Sequence, residues 1–429
     1  MADPSTCPPL IPSSIRAAYS KIQPYIHKTP LLTSHSLDAI ASSPDPTEVF
    51  VSSQSNAEEV FESTPKFHLF FKCENFQKIG AFKARGAFHA VTRLIEEMGL
   101  EEVRRRGVVT HSSGNHAQAL ALAAWTFSIP SYIVMPKIST PSKIAGTRLY
   151  TPNVLFSGST SQEREAVVAQ VVADKGAILV PPYDHPDIVL GQGTIGLEME
   201  QQLEEHRQSQ SQSQSQNSNQ DQNTQSQSQN QNTQNQNPKQ NQNQNPGPTL
   251  QPPSTTTTKA GFDAVITPLG GGGLLGGTAT WFSDKPGTLV FGAEPSFEGA
   301  DDGRRGLLAG ARIEHVKSLT IADGLRTPLG LINFDILRDR NRLEGIYAVT
   351  EDQIRAAMRL VLERVKVVIE PSACVGLAVV LFNAEFRALA AQRQLGLENP
   401  VWDVGIVFSG GNTTVKAIAK LFADDSDSI

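Results

Sequence analysis

The sequence predicts an α/β fold built on parallel sheets. Three observations point there. Short apolar runs of strand length alternate with helical patterns. Several of those runs end in turns of Gly, Ser and Asn. The stretches that interrupt the alternation are polar and confined to two places.

The elements follow in order. Residues 10–40 hold a short helical pattern, then His27-Lys28-Thr29-Pro30-Leu31. Residues 41–66 are rich in Ser, Pro, Thr and Glu and read as a surface insertion. His68 to Lys72 is a strand, and a helix is expected from about Ala84 to Met98. Gly107 to Thr110 is strand-like, and a helix of small residues is expected from Ala117 to Trp125. Ser131 to Met135 is a third strand, closed by Pro136. Glu163 to Lys175 reads as a helix and Ala177 to Val180 as a strand. After Gly191-Gln192-Gly193-Thr194 a helix is expected to about His206. From Gln208 to Thr258 nearly every residue is Gln, Asn, Ser, Thr or Pro, and the charged ones are Asp221 and Lys239. Such a tract has little to bury and is expected to be a disordered surface loop. Phe262 to Thr267 and Val404 to Phe408 are buried-strand patterns.

Composition excludes several classes. No run of about 18 apolar residues occurs, so no membrane span is expected. The first residues lack the basic and apolar blocks of a secretory signal. The net charge of −6, without a basic block, argues against nucleic acid. Cys7, Cys73 and Cys374 are too far apart for a disulfide framework or a zinc knuckle, which fits a reducing cytoplasm.

Four motifs carry chemistry. Gly80-Ala81-Phe82-Lys83-Ala84-Arg85-Gly86 places a lysine among small and aromatic residues. An apolar setting lowers a lysine's pKa and lets it condense with a carbonyl. Ser112-Ser113-Gly114-Asn115-His116 lies between a strand and a helix, where backbone N–H groups receive an anion. A plain capping turn would use the same residue types. Gly270-Gly271-Gly272-Gly273-Leu274 lets backbone amides approach a phosphate closely. It matches neither the P-loop nor the dinucleotide fingerprint. Ser409-Gly410-Gly411-Asn412 follows the last strand and offers a hydroxyl to a heterocycle nitrogen.

In this order the four motifs resemble the fold type II pyridoxal-phosphate enzymes, of the serine racemase and serine/threonine dehydratase branch. The likeness extends to Phe71-Lys72-Cys73-Glu74-Asn75-Phe76-Gln77, Gly191-Gln192-Gly193-Thr194, Ile321-Ala322-Asp323-Gly324 and Ile369-Glu370-Pro371-Ser372-Ala373. It covers nearly the whole chain except residues 41–66, the polar tract and the tail. It implies two doubly wound α/β domains, tryptophan synthase β-like, with the active site in the cleft. Residues 107–184 would be the small domain, and 1–106 with 185–429 the large one.

The resemblance also implies roles. Lys83 would hold pyridoxal 5′-phosphate and act as base on one face of the substrate α-carbon. Phe82 would pack on the cofactor ring, Asn115 would meet its 3-hydroxyl, and Ser409 its ring nitrogen. Gly270, Gly271, Gly272, Gly273 and Leu274 would cradle its phosphate. Ser112, Ser113, Asn115 and His116 would bind the substrate carboxylate. Ser113 would be the acid/base on the opposite face, which two-sided proton transfer needs. Glu294-Pro295-Ser296, followed by Ala300-Asp301-Asp302, resembles a Mg²⁺ or Ca²⁺ loop. Its ligands would be Glu294, Asp302 and the carbonyl of Ala300, with Phe297-Glu298-Gly299 making the loop about two residues longer than the family's. Tyr183 stands where animal serine racemase has asparagine. The implied activity is racemisation of L-serine, its β-elimination to pyruvate and ammonia, or both. The alternative is dehydration of L-threonine or 3-hydroxyaspartate without racemisation. A homodimer acting on a small hydroxy amino acid is implied.

Overall fold

The computed structural model describes residues 3–50, 64–112, 114–158, 161–231 and 261–423; of residues 161 and 213–231 it describes the backbone alone. The strands are β1 (Leu31–Thr33), β2 (Lys66–Cys73), β3 (Val108–His111), β4 (Ser131–Pro136) and β5 (Val154–Ser157). They continue with β6 (Ile178–Leu179), β7 (Ala264–Pro268), β8 (Leu289–Pro295), β9 (Gly345–Val349) and β10 (Val401–Phe408).

Two sheets result. One has the order β1-β2-β10-β7-β8-β9 and is parallel except for β1. The other is fully parallel in the order β5-β4-β3-β6. Its strands are joined by the helices Asn115–Thr126, Pro141–Arg148 and Ser161–Lys175. Parallel strands covered by helices are buried on both faces, which explains their continuous apolar runs. The helix Val375–Phe382 is buried along nearly its whole length, with Ala378 and Val379 in one core with Ile266 and Ile406. No single helix among the described residues is long and apolar enough to cross a membrane.

Both sheets belong to one compact unit, Met1–Met199 with Phe262–Ile429; Glu200–Gly261 is the other. The helix Pro186–Gln231 differs from the sequence expectation at both ends. It starts eight residues before Thr194 because Pro186 suits a first helical position. The Gly-Gln-Gly-Thr block is therefore inside a helix. Its glycines permit close packing: a Cβ on Gly191 would stand 2.7 Å from Gly86 Cα, and one on Gly193 2.8 Å from Gly277 O. The helix also passes His206. No Gly or Pro occurs between Arg207 and Gln231, and extending a formed helix costs little. Residues 232–258 of the polar tract lie outside the described residues. So do 51–63 of the insertion expected over 41–66. Its start is part of the packed fold, since Ala41 is buried and Arg387 donates to the carbonyls of Ala41 and Ser43 at 2.7 and 2.6 Å.

Candidate active site

The functional side chains sit at the C-terminal ends of parallel strands, where open α/β sheets bind ligands. Ser112 follows β3 directly, and its Oγ accepts from Gly114 N–H at 3.2 Å. Asn115 opens the next helix. The glycine loop links β7 to the helix Gly273–Phe282. Ser409 follows β10 directly.

Lys83 begins the helix Lys83–Met98. Its Nζ donates to Pro182 O at 2.8 Å and stands 5.0 Å from the Phe82 ring and 6.0 Å from that of Tyr183. No carboxylate pairs with it among the described residues. Burial alone lowers its pKa to about 8. The chain before it is strained: Ile79, a β-branched residue, has φ 60°, and Gly80 follows at φ 69°. Two contacts hold that turn. Asn412 Nδ2 donates to Ile79 O at 2.8 Å, and Gly411 N–H donates to Gly80 O at 2.9 Å.

Behind Lys83 lies a buried ion network. Arg85 bonds Glu74 at 2.8 Å through both Nε and Nη2, and Glu198 at 2.9 and 2.8 Å. Lys72 adds a 2.6 Å bond to Glu198. Two cations thus meet two carboxylates, all fully buried. Arg85 is two residues from Lys83, so the network fixes the first helical turn.

Asn115 is held at both ends. Its Nδ2 donates to Glu370 Oε1 at 2.8 Å, and its Oδ1 accepts from Asn412 at 2.9 Å. Glu370 is buried; burial raises its pKa to about 7, with Lys143 pulling the other way. Lys143 itself pairs with Asp323 at 2.5 Å. His116 is buried, and neither ring nitrogen makes a hydrogen bond of good geometry among the described residues. Burial and then Lys83 push its pKa down to about 3, so the ring is neutral. Ser113 lies outside the described residues.

The glycine loop is a cradle that side chains would fill. A Cβ on Gly271 would stand 2.3 Å from the Tyr183 ring, and one on Gly272 2.5 Å from Leu329 Cδ1. Gly272 also has φ 95°, which favours glycine. Asn333 Nδ2 donates to Gly271 O at 2.9 Å and fixes the loop from below. Ser409 is buried, and its hydroxyl makes no hydrogen bond to another described residue; its carbonyl accepts from Phe82 N–H at 3.0 Å. A buried amine without a counter-ion, a glycine cradle at a helix start and an uncommitted hydroxyl fit a phosphorylated aldehyde with a ring nitrogen.

Residues 56–209 and 256–396 match the family of pyridoxal-phosphate dependent enzymes. The chain belongs to that family. Among its relatives, the serine racemase of Arabidopsis thaliana is 34% identical over 410 residues, 95% of each chain. The L-threo-3-hydroxyaspartate ammonia-lyase of Saccharomyces cerevisiae is 32% identical over 412 residues, 96% of this chain and 95% of that one. The structure of maize serine racemase superposes with a TM-score of 0.70 at 30% identity, covering 97% and 98% of the two chains. The fold is therefore that of the fold type II pyridoxal-phosphate enzymes.

The enzyme has a second cluster at the end of β8. Glu294 is fully buried, and its oxygens accept from Gly303 N–H at 3.0 Å and Arg304 N–H at 2.9 Å. Asp302 opens the helix Asp302–Ala309 and accepts from Leu329 N–H at 2.9 Å. Burial and then Asp302 push Glu294 well above the usual carboxylate range, and burial pushes Asp302 up to about 6. Ala300 is buried in the same turn. Two buried oxygen donors short of positive charge fit a hard cation. The extra residues fold outward as a 3-10 turn, Phe297–Gly299, with Glu298 at φ 50°. Leu319 N–H ties that turn down through Glu298 at 2.8 Å.

Motif reasoning quoted Asn412, Glu370 and Tyr183 but gave none of them a role in the site. Glu370 carried a usable signal: it is a lone carboxylate after the apolar run Val367-Val368-Ile369. Pro182 carried none, because it acts through its carbonyl.

Proposed function

We propose that the enzyme is serine racemase-like and acts on L-serine by racemisation, by β-elimination to pyruvate and ammonia, or by both. The observation that carries this is the Lys83 amine, buried without a counter-ion beside a loop built for a carboxylate. Pyridoxal phosphate, when bound, withdraws electrons from the substrate α-carbon. Lys83, Phe82, Asn115, Ser409 and the loop Gly270 to Leu274 would hold it. Ser112, Ser113, Asn115 and the start of the helix Asn115–Thr126 would bind the substrate carboxylate, as a helix N-terminus favours. Lys83 Nζ takes the α-proton on one face, and the Ser113 hydroxyl returns one on the other, which inverts the centre. Without that return, loss of the β-hydroxyl as water and hydrolysis yield pyruvate and ammonia. Neutral His116 keeps one ring N–H, which it would offer to the substrate carboxylate.

A second reading is favoured by the ammonia-lyase relative: dehydration of 3-hydroxyaspartate or L-threonine without racemisation. Both readings include a cytoplasmic homodimer with a small domain over residues 107–184. They also include Mg²⁺ or Ca²⁺ on Glu294, Asp302 and the Ala300 carbonyl.

The test is incubation of cofactor-loaded protein with L-serine, L-threonine and both diastereomers of 3-hydroxyaspartate, measuring keto acid and D-amino acid together. D-serine, pyruvate or both are expected in the L-serine tube. Keto acid from L-threonine or 3-hydroxyaspartate, with neither D-serine nor pyruvate from L-serine, would establish the second reading instead. No turnover of any of the four would refute both.

A further inference from the structure

Three metal-binding side chains from separate stretches converge outside the active site. Cys7 follows the turn Pro4–Thr6, His185 precedes the helix Pro186–Gln231, and Asp187 lies in that helix's first turn. Their ligand atoms all lie within 4.8 Å of one another. His185 and Asp187 are buried and Cys7 is half-buried, so the cluster has one side open to solvent.

Asp187 points to a missing partner. It is fully buried, yet neither carboxylate oxygen makes a hydrogen bond of good geometry among the described residues. Native structures rarely leave such a group in that state. Arg93 pairs with Glu96 through Nη1 and Glu97 through Nη2, and its Nε, otherwise unbonded among the described residues, stands 3.4 Å from Asp187 Oδ1, which leaves Oδ2 without a cation. His185 Nδ1 accepts from Asp187 N–H at 3.2 Å and stands 3.9 Å from Asp187 Oδ2. Burial, then Asp187, pushes the Cys7 thiol up to about 12, so it keeps its proton until a cation displaces it.

We propose that Cys7, His185 and Asp187 bind a single Zn²⁺ or similar borderline divalent cation, with water completing the shell on the open side. Sulfur, imidazole and one carboxylate select Zn²⁺ over Mg²⁺, which prefers an all-oxygen site. In a tetrahedral zinc site, ligand atoms stand about 3.3–3.6 Å apart, so binding needs a contraction of about 1 Å. Cys7 can supply it. Its segment is tied to the helix Lys83–Met98 by Thr6 Oγ1 to Glu97 at 3.0 Å and Arg93 to Thr6 O at 3.4 Å. The bound ion joins that segment to residues 185–187, directly after Tyr183 and Asp184.

The test uses tag-free, full-length, cofactor-loaded protein, stripped with chelator and kept in excess Mg²⁺. Zn²⁺ is titrated by calorimetry, and Cd²⁺ is titrated while thiolate-to-metal absorption is followed. Equimolar Zn²⁺ uptake, a Cd²⁺–thiolate band and a Tm that rises with Zn²⁺ are expected. Cys7→Ser and His185→Gln should each weaken Zn²⁺ by at least about tenfold, abolish the Tm rise and keep the wild-type circular dichroism. Cys73 and Cys374 are fully buried, so they do not compete for the ion. A wild type that takes up no Zn²⁺, or a folded Cys7→Ser that binds it as tightly, overturns the proposal.

Discussion

At the scale of the residue, Lys83 shows how burial sets chemistry. Its amine loses its proton near pH 8 because nothing nearby repays the cost of burying charge. Only the neutral amine can attack an aldehyde. Uptake of pyridoxal phosphate by the cofactor-free protein should therefore accelerate as pH rises and level off above about pH 9. Stopped-flow absorbance measures this, and Lys83→Ala should abolish it and lower turnover by roughly 10³-fold. A rate still climbing beyond about pH 10 would mean an ordinary lysine. Gly272 is the second test. An alanine at φ 95° would cost about 1–2 kcal/mol in backbone strain and would meet Leu329 and Asn333. Gly272→Ala should weaken cofactor binding by about tenfold or more, read by equilibrium dialysis. Lys83 and the glycine tetrad were legible because each is a local string with a local reason. Glu370 and Asn412 were not. They act through Asn115, from positions 255 and 297 residues away.

At the scale of the element, apolar runs located the strands well, because parallel strands must be apolar on both faces. Helix ends were less legible. The helix was expected to start only after the Gly-Gln-Gly-Thr block, since glycine normally disfavours helix. Here it is helical because Gly86 and Gly277 approach it too closely for side chains. The ion network of Arg85, Glu74, Glu198 and Lys72 was invisible for a similar reason: its members come from four separate elements. Arg85→Met should destabilise the protein by about 3–5 kcal/mol, because it leaves buried Glu74 without its ion-pair partner and Glu198 with Lys72 alone. Chemical denaturation measures this loss. At the loop of Glu294 and Asp302, the folded pKa of Asp302 is raised to about 6. The folded state therefore holds more protons than the unfolded one between Asp302's ordinary value of 3.8 and about 6, and stability falls as pH rises through that window. The cation proposed for this loop would relieve this. Mg²⁺ or Ca²⁺ should raise the Tm more above about pH 6.5 than at about pH 5, and Asp302→Asn should remove the difference.

At the scale of the whole molecule, the polar tract and the catalytic core are separable. Arg207 Nη2 donates to Gly261 O at 3.0 Å, so the chain leaves and returns at nearly one place. Closing a short loop there costs little, since closure entropy varies slowly with length. Replacing residues 208–258 by a short Gly/Ser linker should leave kcat and KM within about twofold. A large change in either would show that the tract takes part in catalysis.

The position of β10 has a consequence for biosynthesis. Among the described strands this one is the last in chain order, yet it lies between β2 and β7 and pairs with β2 along its whole length, from Val401 opposite Lys66 to Phe408 opposite Cys73. Until it leaves the ribosome, the edges of β2 and β7 are open, and Ser409 and Asn412 do not yet exist to complete the site. Most of the nascent chain must wait with two unpaired sheet edges, the condition in which large α/β proteins aggregate. Chaperone supply, more than the stability of the finished fold, should then limit the yield of active enzyme during rapid synthesis.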